Sequence, residues 1–507
     1  MIPLALASLL IAFISGLLLT LFLAPSLKNS AAGLAFGFCA GGGLGLGFTS
    51  CLYFIALLTG LTQYIPAIDL GVCLLLGAFC FTRFKRSSIP ALVRPPELGK
   101  RSRLHLMLAG ILSIELIAWL VTFGIAHFKE PHGRWDAWLI WNMHARFLFR
   151  GGNHWRDAFA SGLDWSHWDY PLLLPLSIVR GWQYMGSETS LLPAIMGFCF
   201  TLLTLGLLLT TLILLRGKLQ GCLAAMVLLG TPFLITMGAA QFADVPLAFF
   251  ILMTLGMLAL QARAEAGGGG MLLLAGLAAG MAAWTKNEGI LFLIVAALSL
   301  FAATVRTNSW REASRRTAGF LAGAMPVLLI VLTFKLLLAP TGDLAAGVSW
   351  AALAEKLFDW DRYAQIARAF LLMGISFTQG LVDVRVGMQF NPGAVNILLL
   401  IAYLLFAGIR IDRQDRTGLL AIGTVLCLMP AGYFFVYVLT PLDLTYHLIT
   451  SLNRLFLQLW PGVILLIFMI AGTSEEPVSA RVTGPLPPHG KSRPARGKKP
   501  QRLPEVK

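Results

Sequence analysis

Charge is what this sequence has least of. Only 12% of its 507 residues are Asp, Glu, Lys or Arg, about half the share of an ordinary soluble protein. Hydrophobic residues make up 57%, and the mean hydropathy is +0.77. These values exclude a soluble enzyme, a disordered chain and a coiled coil, because no water-facing fold hides so much apolar surface. Cysteine is missing from the polar segments. All seven (Cys39, Cys51, Cys73, Cys80, Cys199, Cys222, Cys427) lie within apolar runs. That placement excludes a disulfide framework and a metal knuckle, and the cysteines are expected to pack as small buried hydrophobes.

What the chain does have is apolar runs long enough to cross a bilayer, which takes about 20 residues. The expected fold is all-α, a polytopic transmembrane bundle. Thirteen spans are expected, near 2–24, 31–60, 64–82, 104–126, 190–215, 219–237, 244–262, 271–285, 289–305, 317–339, 393–409, 417–438 and 448–471. The first run lacks a basic start and a cleavage site, so it counts as a span rather than a signal peptide. The second is rich in glycine (Gly41, Gly42, Gly43, Gly45, Gly47), which suits close helix packing or a break.

Basic residues assign the sides. Loop 83–103 holds seven Lys/Arg against Glu97 alone; Arg216 and Lys218, Arg306 to Arg316, and Arg410 to Arg416 follow later spans. Under strict alternation all of these fall on one side, taken as cytoplasmic. The tail 472–507 falls there too, with eight Lys/Arg against three Glu, rich in Pro and Gly. It is expected to be disordered and drawn to anionic headgroups. The net charge of +15 therefore marks membrane topology, and no nucleic-acid partner is expected. The compact loops and basic tail suit a bacterial inner membrane.

The opposite side differs. Segment 127–189 has six basic and six acidic residues, and 340–392 has four and five. Long ordered loops are usually functional. Segment 127–189 carries seven of the thirteen tryptophans and five of the eight histidines. Trp135, Trp138, Leu139 and Trp141 fit one face of a short interfacial helix, and 171–185 fits a second. Within that aromatic cluster stands Asp136. A carboxylate beside rings at a bilayer surface is costly unless it is hydrogen-bonded or used; a solvated acid or an N-cap is the structural alternative. Asp169, in HWDYPLLLP, precedes a Pro-initiated helix, and capping is the favoured reading there. Asp157 and Asp164 lie in polar stretches and read as structural.

Three further sites fall on the same side. Gln241 and Asp244 lie in the turn between the sixth and seventh spans. Lys286 and Glu288, in AAWTKNEGILF, interrupt two apolar runs. An i,i+2 spacing does not put two side chains on one helix face, and charges at such depth are functional candidates. His447 and Arg454 are seven residues apart, on one face of the last span, with interfacial snorkelling as the alternative for Arg454. Acids suit a sugar acceptor or a general base, and cations suit a phosphate leaving group. In the second loop, DWDRYAQIARAFL reads as an amphipathic interfacial helix with Asp359, Asp361 and Arg362 solvated.

The order of these pieces resembles the GT-C glycosyltransferases, the group containing protein O-mannosyltransferases and lipid A aminoarabinose transferases. The pieces are an acid in the first large outer loop (RWDAW), a Pro-Leu-rich juxtamembrane helix (DYPLLLPL), an acid in the next outer turn (QFADVPLAF), a short glycine-rich helix ending in Lys (GLAAGMAAWTKNEG) and a distal His/Arg helix. The resemblance covers about residues 104–471, preceded by a three-span segment, 1–103. It implies an integral membrane enzyme that uses a polyprenyl-phosphate sugar donor and a glycan, lipid or protein acceptor, with inversion. In that scheme Asp136 is the general base, Asp244 orients the acceptor or a water, and Asp169 belongs to the catalytic set. Lys286, Arg454 and His447 hold the departing phosphate. Trp138, Tyr170, Gln241 and Glu288 contact substrate. The Asp-x-Asp form of some members is absent and no cofactor is implied. A divalent metal on His132, Asp136, His144 and His154 is the lesser alternative, since their spacing matches no standard zinc pattern. A secondary transporter and an oligosaccharide ligase or polymerase are the competing functions.

Overall fold

The computed structural model describes residues 2–86, 103–160, 166–263, 269–340, 350–377 and 397–472. Most of the basic loop 83–103, Asp164, Trp165, much of 340–392 and the tail beyond residue 472 lie outside the described residues.

Among the described residues the chain is all-helical. An N-terminal group comprises α1 (Ile2–Leu23), α2 (Ala31–Thr59) and α3 (Ile65–Arg86), followed by α4 (Arg103–Lys129). Two short helices, α5 (Asn142–Arg150) and α6 (Leu173–Met185), fill the loop after α4. Then come α7 (Leu191–Arg216), α8 (Lys218–Leu229), α9 (Pro232–Ala239), α10 (Asp244–Arg263), α11 (Gly269–Thr285), α12 (Asn287–Thr307) and α13 (Trp310–Leu337). The chain closes with α14 (Trp350–Leu357), α15 (Trp360–Ser376), α16 (Ile397–Ala407), α17 (Arg416–Leu439) and α18 (Leu444–Ile470).

Among the described residues ten helices (α1 to α4, α7, α10, α12, α13, α17 and α18) are long and apolar enough to cross a bilayer. The molecule is an integral multi-pass membrane protein. The three other expected spans fall on less regular pieces. Residues 219–237 form the pair α8–α9, bent by 63° at the Gly230–Thr231 break, where Pro232 opens α9. Residues 271–285 and 393–409 correspond to α11 and α16, of 17 and 11 residues.

Helices in lipid gain little from hydrophobicity against one another, so close backbone packing must hold them. Glycine supplies it. A Cβ on Gly16 of α1 would stand 1.9 Å from the Gly41 carbonyl oxygen of α2, and one on Gly276 of α11 would stand 1.8 Å from that of Phe320 in α13. The glycines of α2 therefore serve a crossing, and α2 runs unbroken for 29 residues. At the centre α10 is buried along nearly its whole length, packed against α7, α11, α17 and α18. α4 and α13 turn rows of exposed apolar side chains outward, such as Ile114, Ile117 and Val121, and Leu329, Leu332 and Leu336.

Two polar ties fix the assembly. In the first, Arg180 of α6 donates to Asp69 Oδ2 of α3 (2.6 Å) and to the Ser8 carbonyl of α1 (3.0 Å), while Tyr184 donates to the same Asp69 oxygen (2.8 Å). Arg180 and Asp69 are fully buried. In the second, at the opposite end, Arg263 bonds both oxygens of Asp415 at 2.5 and 2.6 Å. The cysteines follow the expectation of burial only in part: Cys39, Cys73, Cys199 and Cys222 are half-buried. Cys51 and Cys80 are buried, but Cys427 of α17 is exposed on the bundle surface, where lipid satisfies a thiol as well as a core does.

Candidate functional site

The site forms where α10, α12 and α18 converge beneath the loop that follows α4. Asp244 lies in the first turn of α10 and Glu288 in the first turn of α12. Both carboxylates thus sit at helix N-termini, which favour negative charge. Lys286 precedes α12 with extended backbone, φ −152° and ψ 162°. This kink explains a departure from sequence expectation. Lys286 is off the helix, so its Nζ reaches Glu288 Oε1 at 2.9 Å despite the i,i+2 spacing, and Asp244 Oδ1 at 3.0 Å. The turn requires glycine next to it: a Cβ on Gly289 would stand 1.8 Å from the Ala282 carbonyl oxygen of α11.

Arg454, in the third turn of α18, completes the cluster. Its Nη1 ion-pairs with Asp136 and lies 3.9 Å from Asp244 Oδ2. One turn further, Gln458 donates to Asp244 Oδ1 at 2.8 Å and accepts from the Tyr433 hydroxyl of α17 at 2.9 Å. Asp136, Asp244 and Glu288 therefore meet Lys286 and Arg454, three acids against two bases. Asp244 and Lys286 are buried. Three polar atoms of this cluster are buried without a hydrogen-bond partner: Asp244 Oδ2, Glu288 Oε2 and Arg454 Nε.

Asp136 caps no helix. Its backbone is helical and its side chain makes no capping bond. It is followed by a single π turn, Ala137–Trp141, a device frequent at functional sites. This turn also corrects the expected interfacial face. Trp135 and Trp138 are 66% and 50% exposed, whereas Trp141 is fully buried, because the wider turn rotates Trp141 inward. There it stacks on Tyr170, with ring centroids 5.6 Å apart. Tyr170 in turn lies 6.0 Å from Lys286 Nζ. Burial first, and then the Glu288 carboxylate, push the Tyr170 phenol above its ordinary value.

Asp169 does not cap α6 either, since the helix begins at Leu173 after an uncapped Leu172. Asp169 Oδ2 instead accepts from Asn287 at 2.8 Å. Lys335 of α13 donates to the Asp169 carbonyl (2.5 Å) and to Asn287 Oδ1 (2.8 Å). Gln241 is a clasp between segments. Its Nε2 donates to the Pro131 carbonyl (3.1 Å) and its Oε1 accepts from Asn142 (2.7 Å). It does so from a left-handed backbone, φ 64°, a conformation that costs a non-glycine residue about 1–2 kcal/mol. Gly133, at φ 75°, lets the facing strand of chain approach, and Arg134 N donates to the Ala240 carbonyl at 3.2 Å. His447 faces the α17–α18 turn: Nδ1 lies 3.0 Å from Thr440 Oγ1, and the ring 4.8 Å from that of Tyr437.

No three His, Cys, Asp or Glu side chains among the described residues come together as a cation site. Of the proposed metal ligands, His144 is buried and stacked on Trp168 at 3.7 Å, while the His154 ring is largely exposed beside Asp157. Asp359 is not merely solvated; it caps α15, and Arg362 donates to the Tyr437, Val438 and Thr440 carbonyls that end α17.

Sequence reasoning singled out Asp136, Asp244, Lys286, Glu288 and Arg454, and these five meet. It passed over Gln458, Tyr433, Asn287, Lys335 and the Asp69–Arg180 pair. The available signal was the same one, a polar side chain inside an apolar run, as in RLFLQLWP and IPAIDLGV. The class defined by fold and site is a multi-pass helical membrane protein with a buried mixed-charge cluster at one end of its bundle. Comparison of the chain with protein-family models, with curated proteins and with solved structures finds no match.

Proposed function

We propose that this chain is a membrane glycosyltransferase. It moves a sugar from a polyprenyl-phosphate carrier to an acceptor hydroxyl at the non-cytoplasmic face of a bacterial inner membrane, with inversion. The observation that carries this reading is the meeting of Asp136, Glu288 and Arg454, each partly buried, with the buried Asp244 and Lys286, and with three polar atoms of the cluster lacking a hydrogen-bond partner. Buried polar atoms without partners call for a polar ligand. A phosphate ester suits the two cations, and a hydroxyl-bearing acceptor suits the acids. We count α8–α9, α11 and α16 as crossings, giving thirteen spans and GT-C-like architecture, with the C-terminus cytoplasmic.

The chemistry follows from the ion pairs. A donor phosphate competes with Asp136 for Arg454 and so frees that carboxylate. Asp136 then accepts the proton of the acceptor hydroxyl within hydrogen-bond reach. The acceptor oxygen bonds to the anomeric carbon as the bond from that carbon to the phosphate oxygen breaks. The phosphate keeps the electron pair, and Lys286 and Arg454 neutralise it. Asp244, held by Lys286 and Gln458, keeps both cations in place. Trp138 and Tyr170 offer rings to sugar faces.

The test is transfer from a labelled polyprenyl-phosphate sugar by the purified protein. The native chain forms labelled product. Asp136→Asn inserts and folds but forms none, and full activity in that variant removes the proposed base. Lipid and glycan profiling of cells with and without the gene identifies the sugar and acceptor, and separates single-sugar transfer from oligosaccharide ligation or polymerisation. One observation favours a second reading, a secondary transporter: the 63° break between α8 and α9, since broken helices build transport sites. A transporter shows counterflow in liposomes that contain no lipid-linked sugar.

A further inference from the structure

Next to the five-charge cluster stands a second polar group that the mechanism above does not use. Lys335 lies two residues before the end of α13, between Phe334, which is buried, and Leu336, which is 80% exposed. α13 presents Leu329, Leu332, Leu336 and Leu337 outward, an apolar row along the last turns of a helix long and apolar enough to cross a bilayer. The Lys335 ammonium turns away from that row. It donates to the Asp169 carbonyl at 2.5 Å and to Asn287 Oδ1 at 2.8 Å, and lies 4.0 Å from Asp169 Oδ2. Asn287 is the residue between Lys286 and Glu288, and Asp169 is the neighbour of Tyr170, whose ring faces Lys286. The two groups therefore share two short stretches of backbone. They differ in access: the Lys335 side chain is 27% exposed and that of Lys286 is 5% exposed.

We propose that Lys335 is the outer phosphate contact of the site. A long-chain isoprenoid phosphate approaching sideways along α13 meets this ammonium, displaces the neutral carbonyl and amide oxygens that hold it, and passes on to Lys286 and Arg454. The ligand chemistry is a phosphate monoester or diester carried on an apolar chain. Among the described residues one carboxylate faces Lys335, at 4.0 Å, and its hydrogen-bond partners there are uncharged, so an anion gains a charge-assisted bond there. This inference rests on the glycosyltransferase reading, because it names the route by which that donor enters.

The experiment measures binding rather than turnover. The purified full chain in nanodiscs is titrated with polyprenyl phosphate, with polyprenol as the uncharged control and phosphatidylglycerol as the competing headgroup. Lys335→Gln keeps an N–H for Asp169 and Asn287 but loses the charge; Lys335→Arg keeps the charge. The expected result is polyprenyl phosphate binding by the native chain and the Arg variant, weakened at least tenfold in the Gln variant with its melting temperature unchanged. Tenfold is the lower end of what one charged hydrogen bond is worth, about 1.5–3 kcal/mol. Equal binding by native and Gln chains overturns the inference while the glycosyltransferase reading stands. Binding of polyprenol as tight as that of its phosphate, or a phosphatidylglycerol preference, also overturns it. No binding of polyprenyl phosphate to the native chain overturns both. If the Gln variant melts early, the Arg variant decides: loss of binding in a well-folded Arg chain shows that charge is not what the site reads.

Discussion

Arg454 of α18 forms an ion pair with Asp136, 318 positions earlier in the chain and on the loop that follows α4. A carboxylate so paired is shielded until something else claims the guanidinium; in the glycosyltransferase we propose, that carboxylate is the base. Both side chains of the pair are partly exposed, at 18%, so removing one partner costs less than the roughly 3–5 kcal/mol of a fully buried pair. Arg454→Met therefore leaves Asp136 without its cation and Asp244 with Lys286 alone. It is expected to lower the melting temperature in detergent more than Asp136→Asn does, and Arg454→Met/Asp136→Asn is expected to recover part of the loss. Equal melting of the native chain and Arg454→Met contradicts the pairing.

The Asp69–Arg180 tie makes a separate claim about assembly. Both side chains are buried, so Asp69→Leu strands the Arg180 charge and is expected to destabilise by about 3–5 kcal/mol. Replacing both partners, Asp69→Leu/Arg180→Met, removes the desolvation cost along with the attraction. The double variant is expected to melt within a few degrees of the native chain. A double variant as unstable as the single one contradicts the idea that the stranded charge, rather than the lost bonds to Tyr184 and Ser8, carries the cost.

His144 predicts the response to acid. Burial pushes its pKa down from 6.5 to about 3, helped by the nearby His167, against a bond to the Ser166 carbonyl. The unfolded chain therefore binds a proton that the folded one refuses. Stability is full above the unfolded value and is lost as pH falls from 6.5 towards 3, by about 1.4 kcal/mol per pH unit once well below 6.5. Melting temperatures at pH 7, 6 and 5 are expected to fall along this slope, and His144→Gln is expected to flatten it.

Gly289 predicts the sensitivity of the turn that carries Lys286. Its missing Cβ leaves room for the Ala282 carbonyl, whose oxygen would lie 1.8 Å from an added Cβ. Gly289→Ala forces α11 and α12 apart at a cost of about 1–3 kcal/mol. Sugar transfer is expected to fall further than stability does, since Lys286 moves with the backbone. Gly423→Ala, on a helix with open space around that glycine, is the control and is expected to change neither.

Much of this was legible in the sequence. Apolar length gave the ten clear spans, because a bilayer imposes a fixed minimum on a helix. Depth of charge picked out Asp244, Lys286 and Arg454, because an ionised group in hydrocarbon needs a partner. What the sequence hid depended on backbone detail. The π turn after Asp136 shifts where Trp141 points relative to Trp138, and no periodicity of 3.6 anticipates it. The extended Lys286 defeats a rule that assumes both residues of a pair are helical. Gln458 and Lys335 went unnoticed because a single polar residue in an apolar helix gives no hint of its partner.

Gln241 clasps the loop at both Pro131 and Asn142, and it sits three residues before Asp244. The spacing between Asp136 and Asp244 is therefore set by bonds of fixed length, not by the tilt of α4 against α10. Helices meet a change in bilayer thickness by changing their tilt, and this clasp ties the two carboxylates by a route that does not run through the tilt.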